Sequence, residues 1–449
     1  MANIKNFKAL RPSNTDNAKL ISALPYDVYD SESARAEVAN NPYSFLAIDR
    51  AETLLPVGTD IYSDLVYEKA THVFNKMIDD GIFIRDIEAC YYIYSLCMDG
   101  RTQTGLVACT AVDDYLNGIC KKHENTVLAK ENDRIKHVRS LKAQTGPIFL
   151  TYKNVKSIDE IISKELTNEP IYDFTAEDGI RHTVWKISNP YTISLIGKEF
   201  SEKVPYTYIA DGHHRAAAAV KNALELRGNT NILTRRSEET SHVSDKYQGT
   251  NKNPCTDMNQ DSDKEYDYFL SILFPDNELM IMDYNRVIND LNGLTATEIL
   301  EKLSRKFKLS VIEEIADGIP ERKPEMKGHF HIYLDKIWYE MSIRDEVLAK
   351  IQADVIDSLD VSIIQNYVLE DLFDISDPRT DKRVNFVGGI KGIKVLKEMA
   401  DKANGMAISM FPTSIYEIMV AADQNKLMPP KSTWFEPKLR SGLLIHTMY

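Results

Sequence analysis

Short apolar blocks separated by turn residues run through the first part of the chain and predict several buried strands. Residues 90–112 contain two such blocks around Asp99-Gly100, a dipeptide typical of a tight hairpin turn. Further strands are predicted at GPIFLTY, HTVWKIS and YFLSILF. In residues 61–80 the apolar positions follow helical spacing, so this segment is predicted to be a helix that ends at Gly81.

A second mixed region begins near Met282. Helices are predicted at TATEILEKLSRKF and KVLKEMADKANG, and GHFHIYL and KIWYEMSI are predicted to pair as strands. Ser414 and Glu417 have the spacing of a capping box at the start of another helix. Because strands and helices mix throughout, the predicted fold class is α/β (mixed α+β), with one domain at residues 1–280 and a second at 281–449.

One stretch of the first domain breaks this pattern, because residues 235–266 are almost entirely polar. We interpret them as a surface insertion, since structureless loops of this length are uncommon and often functional. Two alternatives stay open for the insertion: a lid over the site, or a disordered loop.

Composition narrows the classes of protein that fit. The 449 residues include 54 Lys and Arg against 67 Asp and Glu, so the net charge is −13 at pH 7, which disfavours a protein that coats nucleic acid. No apolar run approaches the roughly 18 residues of a membrane helix, and the N-terminus has no apolar signal core. The five cysteines are odd in number and lack CxxC spacing, as in a reducing cytoplasm. We therefore expect a cytoplasmic protein that binds neither nucleic acid nor a membrane.

The clearest chemical signal is the segment DGHHR, which comprises Asp211, Gly212, His213, His214 and Arg215. It lies between a predicted strand at residues 206–210 and a predicted alanine-rich helix. A helix N-terminus presents unpaired N–H groups and a partial positive charge, and Gly212 lets the backbone approach a ligand. With two imidazoles and a guanidinium added, the segment is predicted to bind phosphate, while Asp211 either caps the helix or fixes one imidazole tautomer. The competing interpretation is a plain cap with solvated basic side chains. No metal site is predicted, since adjacent histidines in a turn rarely converge on one ion.

A second candidate is KKHENT, in which Lys122, His123 and Glu124 are adjacent. Lysines beside a His–Glu pair can join phosphate binding to a carboxylate base, as phosphoryl transfer to a hydroxyl requires. We assign Lys122 to phosphate binding, and His123, Glu124 and Asp211 to catalysis. The alternative is a charged, solvated helix edge.

Two further groups of charged residues are candidates for ligand contacts. PYDVY and NPYSFLAIDRAE place Asp27 and Arg50 among aromatic residues, where a carboxylate can bind an ammonium and a guanidinium a carboxylate, as a small zwitterion requires. In the second region, Arg383 and Lys431 can lend a cation to a phosphate. Packing explains the first pair equally well, and solvated turns explain the second.

The DGHHR segment resembles the DGHxR turn of the ParB/sulfiredoxin-like superfamily, which includes chromosome-partitioning nucleotide-binding domains, sulfiredoxin and the free serine kinases. The serine kinases carry a DGH-T-R version that holds nucleotide phosphates, and His214 replaces the threonine here. Nearly the whole chain also resembles a bacterial family known as a domain of unknown function, whose landmarks recur in order: LPYDVYD, NPYSFL, KKHENT, DGHHRAAAA, DVSIIQNYVLEDLF and LMPPKSTWFEPKLRSGLL.

This resemblance implies a ParB/sulfiredoxin-like nucleotide-binding core and a serine kinase-like phosphotransferase that acts on a small hydroxyl amino acid, free L-serine above all. ATP, ADP or pyrophosphate would donate the phosphoryl group, Mg²⁺ would neutralise it, and Glu124 would take the hydroxyl proton. Two alternatives stay open, a phosphoserine phosphatase using the same site and a non-catalytic nucleotide-binding regulatory protein. A sulfiredoxin-like redox role is less favoured and would depend on Cys120. The oligomeric state is not predicted.

Overall fold

The structure is a computed structural model that describes residues 1–228, 264–315, 319–320 and 323–448. The chain divides into two compact units. Unit 1 contains Met1–Cys120, Thr126–Asn277 and Lys438–Tyr449, and unit 2 contains Lys121–Asn125 and Glu278–Pro437. The predicted polar insertion lies outside the described residues, except for its last three positions.

Unit 1 alternates strands with helices along most of its length. Its helices are α1 (Thr15–Ile21), α2 (Ser31–Asn40), α3 (Leu46–Asp49), α4 (Asp64–Asp79), α5 (Val112–Leu116), α6 (Leu128–Leu141), α7 (Lys156–Glu165), α8 (Pro190–Lys203) and α9 (His213–Leu226). Its strands are β1 (Ile4–Lys5), β2 (Leu10–Pro12), β3 (Phe83–Arg85), β4 (Tyr91–Met98), β5 (Arg101–Ala111), β6 (Cys120–Lys121), β7 (Ala143–Gln144), β8 (Ile148–Tyr152), β9 (Tyr172–Thr175), β10 (Arg181–Ile187), β11 (Thr207–Asp211) and β12 (Tyr268–Pro275).

Nine of these strands form one mixed sheet. Its order is β6-β11-β8-β12-β5-β4-β10-β9, with β1 paired to β5 outside this path. Strands β8 and β12 are parallel to each other, while β12 and β5 are antiparallel. Every residue of β12 is buried, which explains why the sequence there is a continuous apolar run and does not alternate.

The β4–β5 hairpin follows from its turn chemistry. Asp99 and Gly100 have φ angles of +51° and +77°, the left-handed backbone that a two-residue turn between twisted strands requires. The predicted hairpin is therefore confirmed, with Tyr92 opposite Val107 and Met98 opposite Arg101.

Helices α8 and α9 pack on the main core of unit 1. The small side chains of α9 let this helix lie close to the sheet, and Ala216, Ala219 and Ala223 are all buried beside Leu150 and Phe269. Helix α9 therefore packs directly on the sheet of unit 1.

Unit 2 also mixes strands and helices. Its strands are β13 (Met280–Met282), β14 (Tyr284–Ile288), β15 (Phe307–Val311), β16 (Glu314–Ile315), β17 (Ile319–Pro320), β18 (His329–Leu334), β19 (Ile337–Ile343), β20 (Val384–Gly388), β21 (Met406–Ser409) and β22 (Trp434–Glu436). Its helices are α10 (Ala296–Ser304), α11 (Asp345–Ile351), α12 (Asp360–Ile364), α13 (Asp371–Phe373), α14 (Gly392–Ala403) and α15 (Ile415–Asp423). A six-stranded antiparallel sheet has the order β15-β19-β18-β21-β14-β20.

The chain then returns to unit 1 with β23 (His446–Thr447), which pairs with β7. The prediction placed these last residues with the second region, because it followed chain order. In the structure, Ile445 exchanges backbone hydrogen bonds with Leu10, which gives the segment to unit 1.

The mixed α/β class is confirmed, and so are several local elements. The capping box of Ser414 and Glu417 is present at the start of α15. In the part of the chain that the structure describes, no helix combines the length and apolar character needed to cross a membrane.

Candidate functional site

The predicted strand–turn–helix around the DGHHR segment is confirmed. Strand β11 ends at Asp211, Gly212 is the N-cap with φ of +95°, and α9 begins at His213. No side chain caps this helix, so its first backbone N–H groups are presented at a glycine. The 14-residue helix adds its dipole to this end.

Arg215 folds back over the turn. Its guanidinium donates a hydrogen bond from Nη1 to the carbonyl of Pro147 at 2.5 Å. A Cβ atom on Gly212 would lie 3.0–3.1 Å from the guanidinium, and one on Gly146 would lie 3.3 Å from Nη1. The two glycines therefore leave the space that the arginine occupies.

Asp211 is an ion-pair partner of the turn. Its Oδ2 lies 3.4 Å from Nζ of Lys438, and its Oδ1 lies 4.0 Å from Nη2 of Arg215. Burial would raise the pKa of Asp211, but Lys438, Arg215 and His213 together lower it well below its ordinary value. The suggestion that Asp211 caps the helix is wrong, because the N-cap is Gly212 and the carboxylate faces these cations.

The two histidines of the turn differ in their surroundings. His213 is buried at the first position of α9, whereas His214 is half-buried. Nε2 of His214 accepts a hydrogen bond from the backbone N–H of Val127 at 2.9 Å, just before α6 begins. Binding of a phosphate by His214 stays a prediction.

A small cavity of about 30 Å³ adjoins this turn within unit 1. Arg215 lines it together with four side chains from the N-terminal segment and α6: Tyr26, Asp49, Arg134 and His137. The volume holds a water molecule or two and no larger ligand.

A larger cavity of about 210 Å³ shares these four side chains. It brings together Asp27 and Arg50, the pair predicted to bind a zwitterion. Its other charged lining residues are Glu52, Lys130 and Asp133. The carboxylates are Asp27, Asp49, Glu52 and Asp133, and the cations are Arg50, Lys130 and Arg134, so the cavity carries both signs in nearly equal number.

Arg134 is the most enclosed cation of this cavity. Asp133 Oδ2 accepts from its Nε at 2.8 Å and lies 2.7 Å from its Nη2. The guanidinium lies 4.0 Å from the centre of the Tyr26 ring, a cation–π contact. Asp133 in turn accepts a hydrogen bond from the hydroxyl of Tyr67. The arginine is thus fixed in one orientation.

Asp49 and His137 occupy the wall between the two cavities. Burial raises the pKa of Asp49, although Arg134, Ser441, Thr145 and Arg215 oppose the rise. Burial and then Arg134 lower the pKa of His137 to about 3, so its imidazole is neutral at pH 7. Nε2 of His137 lies 3.2 Å from the carbonyl of Ile48 and therefore donates to it.

The nitrogen atoms of the Arg50 guanidinium all donate hydrogen bonds to other groups of the protein. Its Nε donates to Glu52 at 2.5 Å, and its Nη1 donates to the carbonyls of Tyr26 and Tyr29. Its Nη2 donates to the Ser31 hydroxyl at 3.3 Å. These contacts fix the loop that carries Asp27, and binding of a ligand by Arg50 stays a prediction.

The predicted base segment belongs to unit 2. Lys122 is exposed, His123 buried and Glu124 half-buried. The carbonyl of His123 accepts from the N–H of Met428 at 2.8 Å. Glu124 lies near Arg379 and, after Asp377, helps to raise the pKa of this guanidinium.

The two cations predicted in the second region also belong to unit 2. Arg383 holds Asp381 and donates to the carbonyls of Phe373 and Asp374, so its guanidinium stabilises a turn. Lys431 is exposed, with Nζ 5.9 Å from the centre of the Tyr284 ring. The roles assigned to these residues stay predictions.

The structure adds residues that no motif indicated. Thr145 and Ser441 both hydrogen-bond Asp49, and the Thr145 hydroxyl lies 3.1 Å from Oδ1. Lys438 is a third such residue, with its Nζ 3.4 Å from Oδ2 of Asp211. Single polar residues that are distant in sequence carry no spacing signal, so only the fold brings them together.

A family comparison identifies relatives of the chain. The model of the family described as "Protein of unknown function (DUF1015)" matches residues 4–362. The chain belongs to the DUF1015 family. No curated protein matches this DUF1015 chain.

Several solved structures are similar to this DUF1015 protein at low identity. A free serine kinase in complex with AMP is 14% identical, with a TM-score of 0.33 over 76% of this chain and 92% of the kinase. SbnI with C-terminal truncation, from Staphylococcus aureus, is 10% identical, with a TM-score of 0.35 over 76% and 87%. A conserved hypothetical protein from Pyrococcus furiosus is 13% identical, with a TM-score of 0.30 over 76% and 95%. At these values the matches describe a likeness and assign no activity.

Proposed function

We propose that this DUF1015 protein is a phosphotransferase that acts on a small hydroxyl amino acid, free L-serine first, with a nucleotide or pyrophosphate as phosphate donor. One observation carries the proposal. Arg215 of the DGHHR segment lines the small cavity with Asp49 and Arg134, and these two residues also line the larger cavity of mixed charge. The turn that we assign to phosphate and the cavity that we assign to the amino acid are therefore connected through Asp49 and Arg134 within unit 1.

The turn supplies the phosphate side of the reaction. A helix N-terminus that begins at glycine offers backbone N–H groups and a partial positive charge to an anion. The Arg215 guanidinium adds a charge beside them. These groups are suited to a terminal phosphoryl group in both its ground and transition states.

The larger cavity supplies the amino-acid side. Its volume of about 210 Å³ is below the range of about 300–1,000 Å³ that is usual for drug-sized ligands. Its lining presents both carboxylates and guanidinium groups, which suits a compact ligand with one ammonium and one carboxylate. A whole nucleotide is too large for this cavity, so we assign the cavity to the acceptor.

The transfer itself needs a base for one proton. The serine hydroxyl oxygen forms a bond to the terminal phosphorus, the bond from this phosphorus to the bridging oxygen breaks, and the hydroxyl proton passes to a carboxylate. The sequence predicts Glu124 for that carboxylate, and this assignment stays a prediction because Glu124 belongs to unit 2.

A nucleotide donor would bring Mg²⁺ as its counter-ion. Asp211 does not fit as a ligand for this ion, because its carboxylate is already engaged by Lys438 and Arg215. No step is therefore assigned to Mg²⁺ at the turn.

Phosphorus NMR on the purified protein tests the proposal. L-serine and Mg²⁺ are incubated in separate tubes with ATP, ADP or pyrophosphate, beside a tube that contains phosphoserine alone. A phosphoserine signal that depends on one donor supports the proposal and identifies the donor. Arg215→Gln should lower the rate by at least about tenfold, since one charge-assisted contact is lost. Arg227→Gln at the far end of α9 is the matched control and should retain the rate.

The alternatives predict different spectra. Free phosphate from phosphoserine alone would indicate a phosphatase that uses the same site. Nucleotide binding without turnover in any tube would indicate a regulatory nucleotide-binding protein. A redox role through Cys120 is disfavoured, because burial raises the pKa of this thiol to about 12.

A further inference from the structure

The charged groups of the larger cavity differ in whether the protein already occupies them. Glu52 is held by Arg50, and Asp49 is held by Thr145 and Ser441. Each of these carboxylates therefore already has a partner within the protein. Two charged side chains of the lining, Arg134 and Asp27, differ from these, and they indicate which ligand groups the cavity binds.

Arg134 is the first exception. Its Nε and Nη2 both contact Asp133, and both contacts go to the same oxygen, Oδ2. Among the residues that the structure describes, Nη1 makes no hydrogen bond. The guanidinium is nevertheless immobilised by Asp133 on one edge and by the Tyr26 ring on its face. Its remaining edge is a fixed, planar donor pair that lines the cavity.

Asp27 is the second exception. Its carboxylate makes no hydrogen bond or ion pair with any described residue, yet it lines the same cavity. It is exposed, so it stands where the cavity opens to solvent. The 3₁₀ turn Tyr26–Val28 that carries it is anchored by Arg50, which donates to the carbonyls of Tyr26 and Tyr29. The carboxylate is therefore positioned without being neutralised.

We propose that Arg134 binds the α-carboxylate of the amino-acid substrate and that Asp27 binds its α-ammonium group. This inference rests on the proposed function and names the residues that select an α-amino acid. It moves the carboxylate contact from Arg50, whose donors hold the loop, to Arg134. A planar guanidinium with a fixed edge matches a carboxylate with two parallel hydrogen bonds. Arg134 thereby distinguishes serine from an amino alcohol of the same length.

Lys130 is the competing cation, because it also lines the cavity. It is exposed and one turn earlier on α6, so its charge is screened by water and its side chain is not fixed. The same test separates the two residues.

Binding measurements without a phosphate donor test the proposal. Affinities for L-serine, ethanolamine and 3-hydroxypropionate are measured by calorimetry with the wild-type protein and with Arg134→Gln, Arg134→Lys, Asp27→Asn and Lys130→Gln. Arg134→Gln should weaken L-serine about 30-fold and leave ethanolamine, which has no carboxylate, unchanged. Asp27→Asn should weaken L-serine and ethanolamine but not 3-hydroxypropionate. Arg134→Lys keeps the charge without the planar edge and should recover part of the loss.

Arg139→Gln is the matched control for folding. Arg139 lies on the same helix, but it faces Asn222 and Glu225 and does not line the cavity. Its variant should bind all three ligands as the wild type does. Thermal unfolding of each variant shows whether a loss of binding comes from a loss of structure, and Arg134→Lys keeps the test valid if Arg134→Gln unfolds.

Two results would overturn the inference. The first is L-serine affinity within threefold of wild type in both Arg134 variants, or a loss that follows Lys130→Gln. The second is a wild-type protein that binds no small hydroxyl amino acid. The inference and the proposed phosphotransferase activity can fail separately. Binding of L-serine that depends on Arg134, without phosphoserine formation, supports the inference alone. Phosphoserine formation with an unchanged KM for L-serine in Arg134→Gln supports the activity alone.

Discussion

At the scale of single residues, Gly212 combines two constraints at one position. Its backbone φ of +95° is one that residues with a Cβ atom rarely adopt. The Arg215 guanidinium also lies where the Cβ atom of a larger residue would be. The backbone conformation of Gly212 and the packing of Arg215 therefore both require that residue 212 has no Cβ atom.

Gly212→Ala should lower the free energy of unfolding by about 1–2 kcal/mol and displace Arg215, and phosphate binding should fall by at least about tenfold. Gly228 ends the same helix with φ of +74°, and a Cβ there would meet nothing within 4 Å. Gly228→Ala is thus the control for backbone strain alone. Inorganic phosphate titrated into both variants gives the comparison, and equal binding by the two would show that Gly212 has no role in holding the anion.

At the scale of elements, one buried carboxylate ties a helix to a strand in unit 2. Asp360 opens α12, and its Oδ1 accepts the N–H of Gly328, the residue before β18, at 2.9 Å. Its Oδ2 is buried and has no hydrogen-bond partner among the described residues. Burial raises the pKa of Asp360 to about 7, although Gly328 and Lys327 oppose the rise.

This carboxylate makes the stability of unit 2 depend on pH. The unfolded chain ionises Asp360 near its ordinary pKa of about 4, while the folded chain stays protonated until about pH 7. Stability therefore falls between these two pH values and levels off above them. Asp360→Asn should remove this slope and raise the free energy of unfolding at pH 8 by at most about 4 kcal/mol. Urea unfolding at pH 5 and pH 8 measures the change.

The exposed Asp357→Asn is the control for this measurement and should keep the wild-type slope. Equal slopes in Asp360→Asn and the wild type would mean that another group causes the pH dependence.

Local elements were predictable where a few neighbouring residues decide the geometry. The Asp99-Gly100 hairpin, the Ser414–Glu417 capping box and the turn at Gly212 all appear as predicted, because each depends on residues within a few positions of one another. The wall between the two cavities could not be predicted from neighbouring residues. Asp49 meets Thr145 across 96 positions, and no local pattern encodes a contact of that range.

At the scale of the whole molecule, the C-terminal segment completes unit 1 and not unit 2, which precedes it in the chain. The segment from Lys438 onward buries Leu443 and Ile445, pairs β23 with β7, and places His446 2.9 Å from Glu265. A division by chain order puts these residues in the wrong region, because tertiary pairing and sequence proximity are independent here.

Removal of residues 438–449 should therefore destabilise unit 1 by several kcal/mol, because it uncovers apolar side chains and leaves Asp211 without Lys438. Thermal unfolding and binding of a dye to exposed apolar surface measure the effect. Thr447→Ala removes only a contact with the Arg85 side chain and should leave the melting temperature close to wild type. A truncated protein that melts like the wild type would show that the segment is dispensable.

The position of Lys438 also has a consequence during synthesis. Asp211 and Lys438 are 227 residues apart in the chain. At about 5–20 residues per second, a ribosome makes the lysine roughly 11–45 s after the aspartate. Throughout that interval the nascent chain contains Asp211 and Asp49 but neither Lys438 nor Ser441, their partners in the complete fold. A chain released early thus carries the whole DGHHR segment and still lacks the lysine that pairs with its aspartate.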